Sequence, residues 1–510
     1  VWHAIVIGSG IGGLCAAAAL ARCGARVLVL EQHGKAGGLT QTFRRGDWSF
    51  ATGVHYIGGV GPDPGPQGQF GRLLTWLAGD ALRFTACANP YDIVRLPGFE
   101  FGIAHPESVY RDALVARFPG EVSAIDGWFD ACGEARRSAF TLFAMHSMPA
   151  WLAWPLRQWR GAQAQHWATR TLEDELGRVR DARLRAVLGA RWGDYGAPPS
   201  QAPFVEHALV TGSYNSGAFY PLGGPARFAE ALQPVIESAG GEVRVGANVV
   251  DIAARDGRAS GVVYVQNGQR HSESAHHVIS AMGVANTVAC LDDGVAPEWQ
   301  HAVRALEPGV SYVALYLGLE GDIASAGATS ANQWIYASED IGAVWHAPAD
   351  EDAPGIYVSF PSLKDPSSHG QPTAEVVALI DSAGFGSWFG DTVDAARARS
   401  YYDFKQRVQS RLSAQFERHF PALAPMVAYR ELATPVTQWR YVHSPRGAMY
   451  GLEMSAERLL SPALHVRTPL PGLLLAGQDV AGPGIQGAFM GGWLAAASVE
   501  PKLWRLLGVL

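Results

Sequence analysis

Ile5-Val6-Ile7-Gly8-Ser9-Gly10-Ile11-Gly12-Gly13-Leu14 passes from an apolar strand through a glycine-rich turn into a helix. The strand begins at His3. The helix is expected from Leu14 to Cys23, with an alanine-rich face and Gly24 closing its C-terminus. A second apolar strand, Arg26 to Leu30, ends on Glu31. Gly8 permits the tight turn, Gly10 lets a pyrophosphate approach bare backbone, and Gly13 lets the helix pack close to the strand. Ile11 and Gly12 sit among them at the expected phosphate site. Free N–H groups and the positive end of the helix dipole favour an anion there. Glu31 is positioned to accept hydrogen bonds from ribose hydroxyls. A helix-packing turn without a ligand would leave this acid unexplained.

Gln32 follows, and then Lys35-Ala36-Gly37-Gly38-Leu39-Thr40. Adjacent glycines after the acid allow a second close backbone approach, which points to FAD rather than NAD. Near the other end, Pro471-Gly472-Leu473-Leu474-Leu475-Ala476-Gly477-Gln478-Asp479 reads as a buried strand closing on a polar turn. Asp479 is suited to ribityl or ribose hydroxyls, or alternatively to capping a helix. Gly482-Pro483-Gly484-Ile485-Gln486-Gly487-Ala488 then opens another helix toward the same ligand.

These motifs resemble those of the phytoene desaturase-related flavoproteins. Within them the chain is most similar to the branch of all-trans-retinol 13,14-reductase (retinol saturase) and carotenoid cis–trans isomerase. Gly53-Val54-His55-Tyr56-Ile57-Gly58 and Trp192-Gly193-Asp194-Tyr195-Gly196 are the branch-specific segments, joined by Phe219-Tyr220-Pro221-Leu222-Gly223-Gly224. The resemblance implies an α/β architecture: a Rossmann-type FAD-binding domain assembled from three chain segments, plus an α+β substrate domain of the amine oxidase/phytoene desaturase type. It also implies that the Val249 backbone touches the adenine and that His55 and Tyr56 lie close to the isoalloxazine. Tyr220 is a further catalytic candidate, or a pocket wall; Tyr195, His207 and Tyr214 are others. One departure stands out. The family usually carries Phe-Asp-Thr-Gly before the histidine, and this chain has Phe50-Ala51-Thr52-Gly53.

On this reading residues 1–62, 217–290 and 468–510 build the FAD-binding domain, and 63–216 and 291–467 the substrate domain. The first insertion is mainly helical by pattern. In the second, Ser311 to Leu319 places Val313, Leu315, Leu317 and Leu319 on one face and Tyr312, Ala314 and Tyr316 on the other. Gln333–Ala337, Ala343–His346 and Ile356–Phe360 are expected strands able to pair with it. Thr392 to Phe420 is helix-like. The helix expected from Arg227 to Ser238 precedes a strand, a hairpin and a closing strand, His277 to Ser280.

Composition narrows the function. The 510 residues are 48% hydrophobic and 17% charged, with a net charge of −7, which suits a large core and disfavours a nucleic-acid partner. Five cysteines without a CxxC pair fit reduced thiols in a cytoplasmic protein. No signal peptide or spanning helix is read, and no metal motif such as HExxH is present. Met145 to Arg160 interleaves Trp and Arg with Leu and Met, the composition of a lid or interfacial helix at a membrane surface. The expected activity is an FAD-dependent change of C–C unsaturation in a long hydrophobic substrate, a polyene or an unsaturated acyl chain, by hydride transfer at flavin N5. An amine oxidase on the same scaffold and a non-catalytic lipid escort are the alternatives. With one dinucleotide motif, the electron partner is a quinone, dioxygen or a diffusible carrier.

Overall fold

The computed structural model describes residues 1–61, 68–148, 150–368, 370–390 and 395–508. The boundary expected between residues 62 and 63, and the expected helix start at Thr392, lie outside them.

Strand Trp2–Ile7 sits inside a seven-stranded sheet. It pairs in parallel with Val27–Leu30 on one side and with the end of Gln269–Ser280 on the other. Glu242–Arg244 continues the sheet in parallel past Val27–Leu30, and Leu473–Leu475 runs parallel to Val278–Ser280. The hairpin expected around Val249 and Gly261 is Ala247–Arg255 against Arg258–Gln266. Three distant stretches of chain thus share one sheet, as the motifs implied.

Helix Ile11–Arg22 starts three residues earlier than expected and buries every residue from Ile11 to Ala21. A helix apolar all round must be enclosed. Helices Arg227–Ser238 and Gly484–Val499 pack against it. Gly24 takes φ +87° immediately after the helix, the left-handed conformation that ends it.

A second seven-stranded sheet runs in the order Val427–Ala433, Ser311–Leu319, Thr373–Ile380, Gly355–Ser359, Asn332–Tyr336, Asp92–Leu96, Phe99–Ile103. Strand Ser311–Leu319 divides two cores as its alternation required. Val313, Leu315, Leu317 and Leu319 pack with Phe416 of helix Ala395–His419. Ala314 and Tyr316 face Trp192, Tyr195 and Tyr357 on the other side.

Two expectations are corrected. Ile341–His346 is a short 3-10 helix rather than a strand, and the Asp340 side chain caps it by accepting the Gly342 N–H. The flanking partners of Ser311–Leu319 are Thr373–Ile380 and Val427–Ala433. Alternation assigns a face but does not rank partners. The described part of residues 63–216 is mainly helical and also contributes strands. The hairpin Asp92–Leu96/Phe99–Ile103 joins the second sheet by running parallel to Asn332–Tyr336, so both insertions form one body.

Candidate cofactor and substrate site

A cavity of about 1480 Å³ extends from the Gly8–Gly12 turn to the second sheet. Ordinary small-ligand sites occupy roughly 300–1,000 Å³, so this one has room for a dinucleotide and a second molecule. Of the sequence-expected residues, Gly8, Gly10, Ile11, Gly12, Glu31, Gln32, Gly38, Leu39, Thr40, Val249, Gly477, Asp479, Gly484, Ile485 and Gln486 line it, together with His55 and Tyr56.

The glycines separate by task. Gly8 holds φ +93°, where a side chain is strained. A Cβ on Gly13 would fall 1.9 Å from the Gly8 carbonyl oxygen, whereas one on Gly10 would meet nothing within 4 Å. Gly10 therefore presents bare backbone to open space, and Gly13 does not line the cavity because it packs helix on strand. A Cβ on Gly12 would lie 2.8 Å from Gly477 Cα and 2.7 Å from the Ala488 oxygen. Gly12 thus also fits the two ends of the chain together, a task the spacing did not reveal.

Glu31 organises both glycine loops. Its Oε2 accepts the Ser9 N–H at 2.9 Å and the Ser9 hydroxyl at 2.6 Å, and its Oε1 accepts the His33 N–H at 2.8 Å. Ser9 Oγ accepts in turn from the Gly37 N–H at 3.0 Å. Sequence reasoning passed over Ser9, although a hydroxyl between two loop glycines was a usable signal. Gly37 is one layer behind the cavity. Lys35 is a correction: it is exposed and away from the lining, because the turn that carries it points outward. Its carbonyl accepts from Gln41.

Asp479 Oδ2 accepts the Val284 N–H at 2.9 Å, while its buried Oδ1 has no partner. An unpartnered buried acceptor at a cavity wall needs a donor, which a ribityl or ribose hydroxyl of the cofactor would supply. Cβ atoms on Gly477 and Gly484 would meet nothing within 4 Å. Gln486 donates to the Gly58 carbonyl at 2.9 Å, which ties the C-terminal helix to the loop bearing His55. These residues fit FAD.

The second half of the cavity has aromatic walls. Tyr312, Tyr316, Trp334, Tyr336 and Tyr357 project from the second sheet, and Tyr214 stacks on Tyr56 with centroids 4.8 Å apart. His55 Nδ1 meets Glu375 Oε2 at 2.7 Å, and the other oxygen of Glu375 accepts the Ala51 N–H at 2.7 Å. The carboxylate that residue 51 lacks is thus matched beside the same loop by one from the facing sheet. Buried Lys364 donates to the His55 carbonyl at 2.8 Å and to Ser359 at 2.7 Å. Tyr220 is the other correction. It lies in strand Phe219–Pro221, paired with Phe84–Ala86, buried and off the cavity lining, because strand pairing turns it into the core. Tyr195 and His207 bond each other at 3.0 Å in the same core.

A charged cluster lies behind Tyr56. The Tyr56 hydroxyl is 3.1 Å from Asp194 Oδ2 and 3.3 Å from Asp92 Oδ2. Arg191 donates to Tyr91 and stands 3.8 Å from Asp92. Burial, and then the Asp92 carboxylate, push the Asp194 carboxyl up to about 7, with Arg191 opposing. Glu206, also on the cavity wall, is raised to about 7 by burial. Burial raises the Tyr56 hydroxyl well above its usual range and lowers the Lys364 amine. Asp194 stood in a branch motif, but nothing local in sequence announced the acid pair, because Asp92 lies about a hundred residues away.

Among the described residues no group of three or more His, Cys, Asp or Glu side chains could hold a metal ion. No described helix is long and apolar enough to cross a membrane.

Comparison with known proteins places these features. Residues 11–499 match the family described as flavin containing amine oxidoreductase. An all-trans-retinol 13,14-reductase of Danio rerio is 31% identical, across 96% of this chain and 84% of that one. A chloroplastic prolycopene isomerase of Daucus carota is 23% identical, across 98% and 80%. Among solved structures, wild-type putrescine oxidase bound to putrescine shares the fold, with a TM-score of 0.62 at 17% identity over 98% of this chain and 99% of that one.

Proposed function

This chain belongs to the flavin containing amine oxidoreductase family, in the branch of the all-trans-retinol 13,14-reductases and prolycopene isomerases, and its cofactor is FAD; we propose that it acts on C=C bonds of a long apolar polyene, in the saturating direction first. The observation that carries this reading is the aromatic-walled half of the cavity, continuous with the nucleotide cradle and backed by a buried acid cluster. Bound FAD would supply or accept a hydride. The chain's own residues do the rest. Gly10, Glu31, Asp479 and Gln486 hold and orient the dinucleotide. His55, fixed by Glu375, holds the loop between cofactor and substrate. Tyr312, Tyr316, Trp334 and Tyr357 give a polyene a dry, flat-sided slot, and Tyr56, whose hydroxyl is bonded to the acid pair, lines it as well.

Peripheral contact with a bilayer belongs to the same reading. On helix Ala150–Thr169 the side chains of Trp151, Trp154 and Trp159 are 74%, 63% and 77% exposed, and Arg157 and Arg160 stand among them. The helix carries no acidic residue. A substrate insoluble in water has to be drawn from a membrane, and amphipathic aromatic and cationic side chains suit its interface. Five free cysteines support a reducing, cytoplasmic setting. The electron partner in this reading is a quinone, dioxygen or a diffusible carrier.

The test is anaerobic. Flavin in the purified protein is reduced with dithionite and mixed with a polyene alcohol or carotene. Reoxidation of the flavin band with a product two hydrogens heavier supports saturation. An isomerised product of unchanged mass moves the reading to isomerisation. Bleaching of oxidised flavin by amines, without response to polyenes, replaces it with amine oxidation. Absence of flavin would favour the lipid escort.

A further inference from the structure

We propose that Tyr56 and Asp194 form a proton relay, in which the Tyr56 hydroxyl protonates one carbon of the substrate C=C bond and Asp194 replaces that proton. This rests on the reading of the chain as a C=C reductase and adds the acid half of the reaction, which a hydride donor does not provide. Both side chains line the cavity, and their oxygens are 3.1 Å apart.

The charges around the pair explain why Asp194 retains a proton. Two carboxylates, Asp92 and Asp194, share the neighbourhood of one guanidinium, Arg191, which is already engaged with Tyr91. Asp92 has the better partners. Asn332 Nδ2 donates to its Oδ1 at 3.0 Å, and Arg191 is 3.8 Å from its Oδ2. Lys364 reaches the same Asn332 and lies 5.6 Å from the Tyr56 ring centroid. Asp194 has no cation within salt-bridge distance among the described residues, and phenols surround it: Tyr56, Tyr336 and Tyr450. Like charges in a dry site do not both ionise, so the proton stays on Asp194.

A lone buried tyrosine is a poor acid, since its phenolate would form beside Asp92. Tyr214 and Tyr357 flank the ring and offer no charge. With Asp194 protonated, its O–H points at the Tyr56 oxygen, and the Tyr56 proton, held only by a longer 3.3 Å bond to Asp92 Oδ2, can turn to the substrate. The π bond breaks, and one carbon receives a hydride with its electron pair from the reduced flavin, which is left oxidised. The other carbon takes the Tyr56 proton as the phenol O–H regains one from Asp194. The Asp194 carboxylate is reprotonated by water through the cavity, whose rim reaches the surface at Tyr402 and Tyr441.

The test compares the FAD-loaded wild type with Tyr56→Phe, Asp194→Asn and the double variant. Infrared spectra titrated with pH read the carboxylic acid carbonyl band, independently of turnover. Glu206 gives a band of its own in the same pH range, so the relay requires a second component that fades as pH rises through about 7, is lost in Asp194→Asn and is kept in Glu206→Gln. It also requires polyene-driven flavin reoxidation to slow by about 10²–10⁴-fold in each single variant, with no further loss in the double. The wild-type rate should fall through the same pH, and the residual rate of Asp194→Asn should not. A missing second component overturns the relay, as does a Tyr56→Phe protein that reduces polyenes at the wild-type rate. Slowing in Asp194→Asn alone would make Asp194 the direct donor and also overturn it. If the wild type carries that component but reduces no polyene, the substrate reading fails, and the catalytic claim falls with it.

Discussion

Glu375 joins the two domains through His55: its carboxylate, with no exposed surface, meets the His55 ring at 2.7 Å and the Ala51 N–H at 2.7 Å. One residue of the substrate sheet thus clamps both ends of a loop that lines the cofactor cavity. Replacing Glu375 with Ala leaves a buried N–H without an acceptor, at a cost of about 1–3 kcal/mol. Glu375→Gln keeps an oxygen for Ala51 and is expected to lose less. Urea denaturation and the flavin-to-protein absorbance ratio measure both. An alanine variant with unaltered stability and flavin content would remove the clamp from the description.

Gly10 and Gly13 separate cofactor binding from folding. A methyl at Gly10 enters empty space, so Gly10→Ala is expected to fold normally and lose flavin. The same methyl at Gly13 strikes the Gly8 carbonyl, so Gly13→Ala should destabilise the protein by about 1–3 kcal/mol or more. Thermal melts of flavin-free protein, set beside flavin content, check the contrast. Equal flavin retention in Gly10→Ala and wild type would place the pyrophosphate elsewhere.

Changing Trp151, Trp154 and Trp159 together to Ser should reduce co-sedimentation with vesicles containing anionic lipid on the order of tenfold or more. Melting temperature should hold, because these rings are largely outside the core. Unchanged vesicle binding would show that another surface makes the contact.

His207 should control part of the acid sensitivity. Burial, with Arg191 adding, lowers its imidazole to about 3 from the ordinary 6.5. The unfolded chain therefore binds the proton first. Stability from the neutral ring is full above the unfolded value and is lost as pH falls toward the folded one. The single site amounts to about 2 kcal/mol at about pH 5. His207→Gln should flatten the denaturation midpoint between about pH 6.5 and 4, even if it lowers the plateau. A variant with the wild-type slope would assign the acid loss to other groups, such as half-buried His146.

Local patterns carried most of what was legible. The strand–turn–helix from Ile5, the acid Glu31 and the Gly-Gln-Asp turn each declare themselves within about thirty residues, because a dinucleotide fold repeats fixed spacings. The alternation of Ser311–Leu319 likewise sorted its side chains between two cores correctly. Long-range partners were not legible. Glu375 and His55 are 320 positions apart, and Asp194 and Tyr56 138 apart. No periodicity links such pairs. Lys35 and Tyr220 failed for the complementary reason: each sits inside a true motif, but a turn and a strand pairing point them away from the cavity.

The three-piece sheet sets a schedule for biosynthesis. Residues 2–7 leave the ribosome long before 473–475, yet both pair with the strand ending at Ser280. Until the last strand arrives, that strand keeps an unsatisfied edge, which invites pairing with other chains. The helix that presses Gly492 against Gly12 comes later still. Cofactor capture therefore has to wait until residues 473–492 have been made, however early the glycine turn at residues 8–13 is ready.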